Sequence, residues 1–159
     1  MKILSLSELS RRADEIHQAK QRLVLTNGCF DLLHVGHVRY LKQARELGDF
    51  LAVAVNGDAS VRSLKGAGRP LISAEDRAEV LAALEFVDFV TVFPDLRATA
   101  VIKATRPAIY VKGGDYTLES LDAEEVAALK AAGVEIKTLP LVPGKSTSKL
   151  IERINQPGA

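Results

Sequence analysis

The chain has 159 residues, with 21 Lys plus Arg against 20 Asp plus Glu and a net charge of +1. That length suits one compact domain, and the near-neutral balance gives no general field for a nucleic acid or a membrane surface, so any phosphate binding must come from locally placed cations. Aromatic residues are 5% with no Trp, which argues against a stacking platform for single strands, and the lone Cys29 excludes an internal disulfide or a multi-cysteine metal site.

No apolar run approaches the ~20 residues that span a bilayer. The opening MKILSLSELSRRADE carries charges too early for a secretory signal, which predicts a cytoplasmic protein. Leu6, Leu9, Ala13, Ile16 and Ala19 recur at helical spacing after a candidate N-cap, Ser7. Residues 1–22 are thus expected to form a leading helix packed on the edge of a main domain, 23–159. Residues 23–26 read as the first strand. A loop follows, and then a helix with Val35, Val38, Leu41, Ala44 and Leu47 on one stripe, ended by Gly48 at C′. The run FLAVAV (50–55) suits a strand buried on both faces of a parallel sheet. Asn56-Gly57-Asp58 turns the chain, and 59–72, with Arg62, Lys65 and Arg69 among glycines, reads as a mobile basic loop.

Ser73 and Asp76 make a near capping box for a helix over 74–84 with Val80, Leu81 and Leu84 on one side. A strand at 89–93 leads to a helix from Pro94-Asp95, with Val101, Ile102 and Ala104, that Pro107 stops. A strand at 108–111 ends in Lys112-Gly113-Gly114-Asp115. A helix over 121–132 turns Val126 and Leu129 inward and closes at Gly133. A strand at 134–139 and a helix over 146–154 complete the chain. This alternation predicts a Rossmann-like, doubly wound α/β sheet of about five mainly parallel strands. Ligands in such sheets sit outside the carboxyl ends of the strands. That edge gathers 27–37, 56–58, 94–95, 112–116 and 143–147.

His34 and His37 are three apart and share a face of a helix start, where free N–H groups and the dipole favour an anion. Gly36 lets a ligand approach the backbone. Zinc would need further ligands, and His17 and Cys29 lack the spacing, so no metal is assigned to protein side chains. Arg77 lies on the apolar side of a helix's first turn; it either meets an anion across the cleft or snorkels to water. Ser146 and Thr147 either bind phosphate at a helix start or simply cap it. Lys112, Gly114 and Asp115 suit a phosphorylated, hydroxyl-rich ligand or form a glycine turn. Asp31 orients the histidine turn, holds a substrate hydroxyl, or makes a local Asx cap. Cys29 reads as a small packing residue.

Residues 26–37, TNGCFDLLHVGH, resemble the signature of the cytidylyltransferase-like nucleotidyltransferases, with their His-x-Gly-His motif. The Arg of Glu75-Asp76-Arg77 and the Ser146-Thr147 pair match two further motifs of that family. Within it, 55–60 (VNGDAS), Leu64-Lys65-Gly66 with Arg69-Pro70, and 111–116 (VKGGDY) are similar to the heptose 1-phosphate adenylyltransferases. The similarity runs from about 23 to 154. It implies in-line attack of heptose 1-phosphate on the α-phosphorus of ATP, with Mg²⁺ on the triphosphate, giving ADP-heptose and pyrophosphate. It implies catalytic roles for His34, His37, Lys65 and Arg77. Asn27, Gly28, Cys29, Phe30, Gly36, Lys112, Gly114, Asp115, Ser146 and Thr147 would bind the nucleotide. Asp31, Asn56, Asp58 and Lys112 would face the sugar phosphate.

Many members carry a fused sugar kinase, so the resemblance implies a monofunctional form with a separate heptose kinase. A homodimer is expected, since small sheet domains of this kind often pair. Ser148 stands where relatives tend to have Thr and keeps the hydroxyl. Three rival readings remain at this point. They are a cytidylyltransferase for glycerol 3-phosphate or a similar alcohol, a non-catalytic nucleotide-binding module, and a class I aminoacyl-tRNA synthetase fragment. Near-neutral charge and the lack of an anticodon-binding domain argue against the last.

Overall fold

The computed structural model describes residues 2–114, 121–140, 144 and 146–156. Along them run α1 (Leu6–Gln18), β1 (Leu23–Gly28), α2 (Val35–Arg45), β2 (Phe50–Asn56), α3 (Asp58–Lys65) and α4 (Ala74–Ala82). Then come β3 (Phe89–Phe93), α5 (Thr99–Thr105), β4 (Ile109–Gly113), α6 (Ala123–Ala131), β5 (Glu135–Leu139) and α7 (Thr147–Asn155). Among the described residues the strands form one sheet in the order β3-β2-β1-β4-β5, and every pairing is parallel. This is the doubly wound, Rossmann-like fold that the alternating elements predict, in a single domain.

The pleat sorts the core. Leu23 and Leu25 of β1 face α1, α5 and α6, where they meet Leu9, Ile16, Val101, Ile102 and Leu129. Val24 faces the other way, toward Leu41 and Ala44 of α2 and Ala78 and Leu81 of α4. A strand covered on both sides needs apolar residues at every position, which is why FLAVAV is continuous rather than alternating. β1 pairs with β2 on one side and β4 on the other. The chain order reverses at the β1/β4 seam, and a crevice opens there beyond the strand ends.

Several boundaries differ from the sequence reading. Ser5, not Ser7, caps α1: its Oγ accepts the Glu8 N–H at 3.3 Å while Glu8 Oε2 accepts the Ser5 N–H at 2.8 Å, a complete capping box. Leu9, Ala13 and Ile16 are buried in one of the two faces of the core, beside α5 and under β1 and β3. The segment before α1 flanks the outer strand, with Val90 N–H donating to Lys2 O and Leu4 N–H to Val90 O, both at 2.9 Å.

The expected loop at 59–72 begins with a helix, α3, which buries Ser60 and Val61; irregular backbone starts only at Gly66, φ 96°. On α4 the inner side is Arg77, Ala78 and Leu81, and Val80 is at the surface. α5 starts at Thr99 rather than Pro94, so 94–98 runs as open chain along the crevice. α6 is capped by Asp122, whose carboxylate accepts the Glu124 N–H at 3.0 Å, and Gly133 follows it at φ 66°, the expected left-handed stop.

Gly48 has a different reason from the one expected. It is not a left-handed cap. A Cβ there would stand 2.7 Å from Val24 Cγ2 and 2.8 Å from Arg22 O, because the turn from α2 into β2 passes tightly over the start of β1. Gly48→Ala is expected to cost about 2–3 kcal/mol, as overpacking against backbone does. Urea unfolding monitored by circular dichroism checks this; an unchanged midpoint would refute the close approach.

Candidate functional site

A cleft of about 530 Å³ lies at the β1/β4 seam. Its floor is the loop after β1. Gly28 carries no Cβ, and one built there would press on Phe30 Cε2 at 3.0 Å. The Phe30 ring occupies that space and leans edge-on against His37, centroids 5.6 Å apart. Phe30 itself is held at φ 48°, a left-handed conformation costing a bulky residue about 1–3 kcal/mol. The fold therefore spends stability on aiming this loop, and what it aims is the next helix start.

His34 is the N-cap of α2 and His37 its third residue. Together they form a capping box made of imidazoles. Gly36 N–H donates to His34 Nδ1 at 3.1 Å, and His34 N–H donates to His37 Nδ1 at 3.3 Å. The rings stack, centroids 3.9 Å apart and 27° between planes. A backbone donor on each Nδ1 requires that nitrogen to be an acceptor, so each neutral ring carries its proton on Nε2. Burial, and then the neighbouring His34, pull the pKa of His37 down to about 4. At neutral pH His37 is thus an uncharged N–H donor. Both histidines line the cleft.

β4 supplies a cation. Lys112 Nζ donates to Asn27 Oδ1 at 2.7 Å, and Tyr110 Oη donates to the same oxygen at 2.7 Å. Burial lowers the Lys112 pKa from the ordinary lysine value, and the charge of Glu125 opposes that. Tyr40, one turn on from His37, bonds Thr26 Oγ1 at 2.7 Å and donates to Val111 O at 3.0 Å, tying α2 across both central strands. Cys29 lines the cleft with a thiol that burial pushes up, which fits a packing residue and not a thiolate.

Asp31 and Arg77 hold the basic segment in place. Asp31, 3% exposed, accepts from Arg69 Nε at 2.5 Å and from the backbone N–H groups of Leu71 (2.8 Å) and Ile72 (3.1 Å). It lines the cleft, where a sugar contact was expected, with both oxygens engaged by the protein. Arg77 is bound within the protein as well. It is 2% exposed and does not line the cleft; its guanidinium donates to Ile72 O at 3.0 Å, to Cys29 O, and to Asp58 Oδ1 at 2.7 Å. The anion it meets is a side chain of α3. Asp58, expected to face the sugar phosphate, pairs with Arg77 and keeps a side chain 40% exposed. A charge buried this deeply needs a partner and carbonyls to match its fork, and the fold supplies all three from different segments.

Lys65 lines the cleft from the end of α3, Asn56 from the end of β2, and Ser146, Thr147 and Ser148 from the start of α7. Thr147 Oγ1 donates to Leu32 O at 3.2 Å, seating that helix on the loop after β1. Asn56 Nδ2 donates to Ser60 Oγ at 3.0 Å. Asn27, Gly28, Phe30 and Gly36 are gathered as expected. Gly114 turns the chain at φ 98° and does not line the cleft, and Asp115 lies outside the described residues. Sequence reasoning missed Tyr40, Arg69, Arg97 and Glu125 as lining residues. Glu125 did leave a trace: it precedes Ala128 and Leu129 by three and four, an acid on the apolar side of α6. Arg97, in open chain, left none.

The family model described as cytidylyltransferase-like matches residues 25–153. The bifunctional protein HldE of Citrifermentans bemidjiense is 48% identical over 153 residues, 96% of this chain and 31% of that protein. The HldE of Pseudomonas syringae pv. syringae is 46% identical over 156 residues, 98% of this chain and 32% of that one. The chain spans about a third of the length of these curated relatives. The lipopolysaccharide core biosynthesis protein from Thermoplasma volcanium has a TM-score of 0.63 and 26% identity, covering 77% of this chain and 97% of that one. Pantoate-beta-alanine ligase from Francisella tularensis shares the fold, with a TM-score of 0.58 at 14% identity over 93% of this chain and 69% of its own. With the matched region running from β1 through the histidine turn to α7, the chain belongs to the cytidylyltransferase-like family.

Proposed function

We propose that the chain is an adenylyltransferase joining ATP and heptose 1-phosphate into ADP-heptose and pyrophosphate. The observation that carries the reaction class is the stacked pair of imidazoles at the start of α2, whose Nδ1 atoms accept backbone N–H groups and which both line the cleft. The similarity of 55–60, 64–70 and 111–116 to heptose 1-phosphate adenylyltransferases supports the substrate, as does the likeness to HldE proteins and to a structure named for lipopolysaccharide core biosynthesis.

The sugar phosphate already carries the attacking oxygen, so no nucleophilic side chain is needed. Its oxygen bonds to the α-phosphorus while the bond to the bridging α–β oxygen breaks, and that electron pair leaves with pyrophosphate. The chain's part is positioning and charge stabilisation. His34 and His37 donate Nε2–H to phosphate oxygens. Lys65, Lys112 and the start of α7 at Ser146-Thr147 supply further positive and hydrogen-bonding groups. Mg²⁺ bound with ATP would supply further neutralisation of the triphosphate charge beside Lys65 and Lys112. Among the described residues no cluster of three His, Cys, Asp or Glu could hold a metal ion, and Asp31 is bound to Arg69. The same reading includes a homodimer, a kinase activity that phosphorylates the heptose beforehand, and a cytoplasmic location. Among the described residues no helix is long and apolar enough to cross a membrane.

Incubation with ATP or CTP and a panel of sugar 1-phosphates and glycerol 3-phosphate tests the reading. Pyrophosphate release and ADP-heptose formation are expected with ATP and heptose 1-phosphate, at least about tenfold faster than any other pair. Preference for CTP with glycerol 3-phosphate would overturn the substrate assignment, and no release with any pair would overturn the enzyme.

A further inference from the structure

Two acidic side chains line the cleft among the described residues, Asp31 and Glu125. A carboxylate in a space furnished with imidazole, ammonium and hydroxyl donors for phosphate is repelled by that phosphate. It is tolerated only where its acceptors are used. Asp31 is used up by Arg69 and two backbone N–H groups. Glu125 is not. It is 4% exposed, stands in the first turn of α6, and gives one oxygen, Oε1, to the Ala98 N–H at 2.8 Å. That bond links α6 to the start of α5 and fixes the direction of the carboxylate. Arg97 reinforces the link by pairing with Asp122, the cap of α6, at 3.0 Å. The charge of Glu125 also acts on the Lys112 ammonium in the same cleft, and Oε2 takes no part in the Ala98 bond.

Phosphates offer acceptors and need donors. Sugar hydroxyls offer donors and need acceptors, and a carboxylate is the strongest acceptor a protein has. Both substrates of the proposed reaction carry vicinal hydroxyls, on the ribose of ATP and on the heptose. We infer that Glu125 is a binding residue that accepts hydrogen bonds from a vicinal diol of the bound ligand and so sets which sugar the cleft accepts. This rests on the adenylyltransferase reading for the heptose, and on nucleotide binding alone for the ribose.

Glu125→Gln is the informative variant, since the amide oxygen keeps an acceptor for the Ala98 N–H while the charged acceptor is lost. Its Tm is expected to stay within about 2 °C of the parent. In the nucleotide arm, equilibrium binding of ATP, 2′-deoxy-ATP and 3′-deoxy-ATP is compared for both proteins by calorimetry. In the sugar arm, KM is compared for heptose 1-phosphate and for hexose 1-phosphates epimeric or deoxygenated at single positions. Expected is about a tenfold or greater weakening toward the complete ligand in one arm, as for a hydrogen bond to a charged group. That loss disappears with the analogue lacking the hydroxyl that Glu125 holds, and kcat is little changed. The arm that shows the loss names the sugar.

A variant that loses nothing in either arm overturns the inference. So does one that loses the same factor with complete and deoxy ligands. If the parent turns over no sugar phosphate, the adenylyltransferase reading has failed; the nucleotide arm then decides alone, and only a hydroxyl-dependent loss there supports Glu125.

Discussion

Replacing His37 by alanine is expected to lower kcat by about 10³-fold while changing KM for ATP only a few-fold. A preorganised donor aimed at charge that develops on the transferring phosphate contributes on that scale, about 4 kcal/mol. The same side chain also closes a capping box, through the 3.3 Å bond from His34 N–H to His37 Nδ1. Losing a cap costs about 1 kcal/mol of stability. The two magnitudes separate the roles. A variant that has lost 10³ in rate and about 1 kcal/mol in stability has lost a donor, whereas equal losses on both scales would mean that α2 has come apart. Glutamine can place an amide N–H near the Nε2 position, so His37→Gln is expected to recover part of the rate, and unchanged turnover in His37→Ala would remove the histidine from the mechanism.

The pH dependence follows from the depressed pKa. In the unfolded chain a histidine takes a proton near pH 6.5, while in the fold His37 resists it down to about 4. Between those values the unfolded state binds the extra proton, so His37 contributes stability that is present above pH 6.5 and lost as pH falls toward 4. The ring meanwhile stays a neutral Nε2–H donor. Proton NMR of the free protein should show the His37 ring titrating near pH 4. Binding a polyphosphate should move that midpoint upward, because the anion favours the imidazolium. A midpoint near 6.5 in the free protein would contradict the buried, neutral ring.

How much of this could be read beforehand depends on whether a feature is written in local spacing. The sheet was legible because a parallel strand covered on both faces must be apolar throughout, and 50–55 says so without a gap. The histidine turn was legible because two imidazoles three apart at a helix start leave few other uses. The polarity of that turn was not, since nothing in the letters says that each Nδ1 would be taken by a backbone N–H. α3 was misread for a physical reason: Lys65-Gly66-Ala67-Gly68 dominates the composition of its window, while the helix itself needs only Ser60 and Val61 to face inward. Asp31 and Arg69 are 38 positions apart and Arg77 and Cys29 are 48 apart, so their pairing is a property of the folded chain.

Arg77 carries the second large effect. Its guanidinium gathers Cys29 O from the loop after β1, Ile72 O from the end of the basic segment and Asp58 from α3. Asp31 clamps the other side of that same segment. The two residues thus set where Lys65 stands relative to the histidines. Arg77→Lys keeps the charge but loses the fork, and an ammonium cannot meet three acceptors in three directions. Expected are a loss of about 2 kcal/mol in stability and about 100-fold in kcat/KM, the size of effect a misplacement of about 1 Å produces. Asp58→Ala should cost more in stability, about 3 kcal/mol, although Asp58 is the more exposed partner. Removing it strands a cation whose side chain is 1% exposed, whereas the ammonium of Arg77→Lys keeps the Asp58 carboxylate as its partner. Trypsin reads the geometry directly, because cleavage after Lys65 should accelerate in both variants and in Asp31→Asn, and ATP should protect the parent most. If Arg77→Lys loses activity with no change in that cleavage rate or in stability, the arginine acts on the ligand itself and not through the segment it holds.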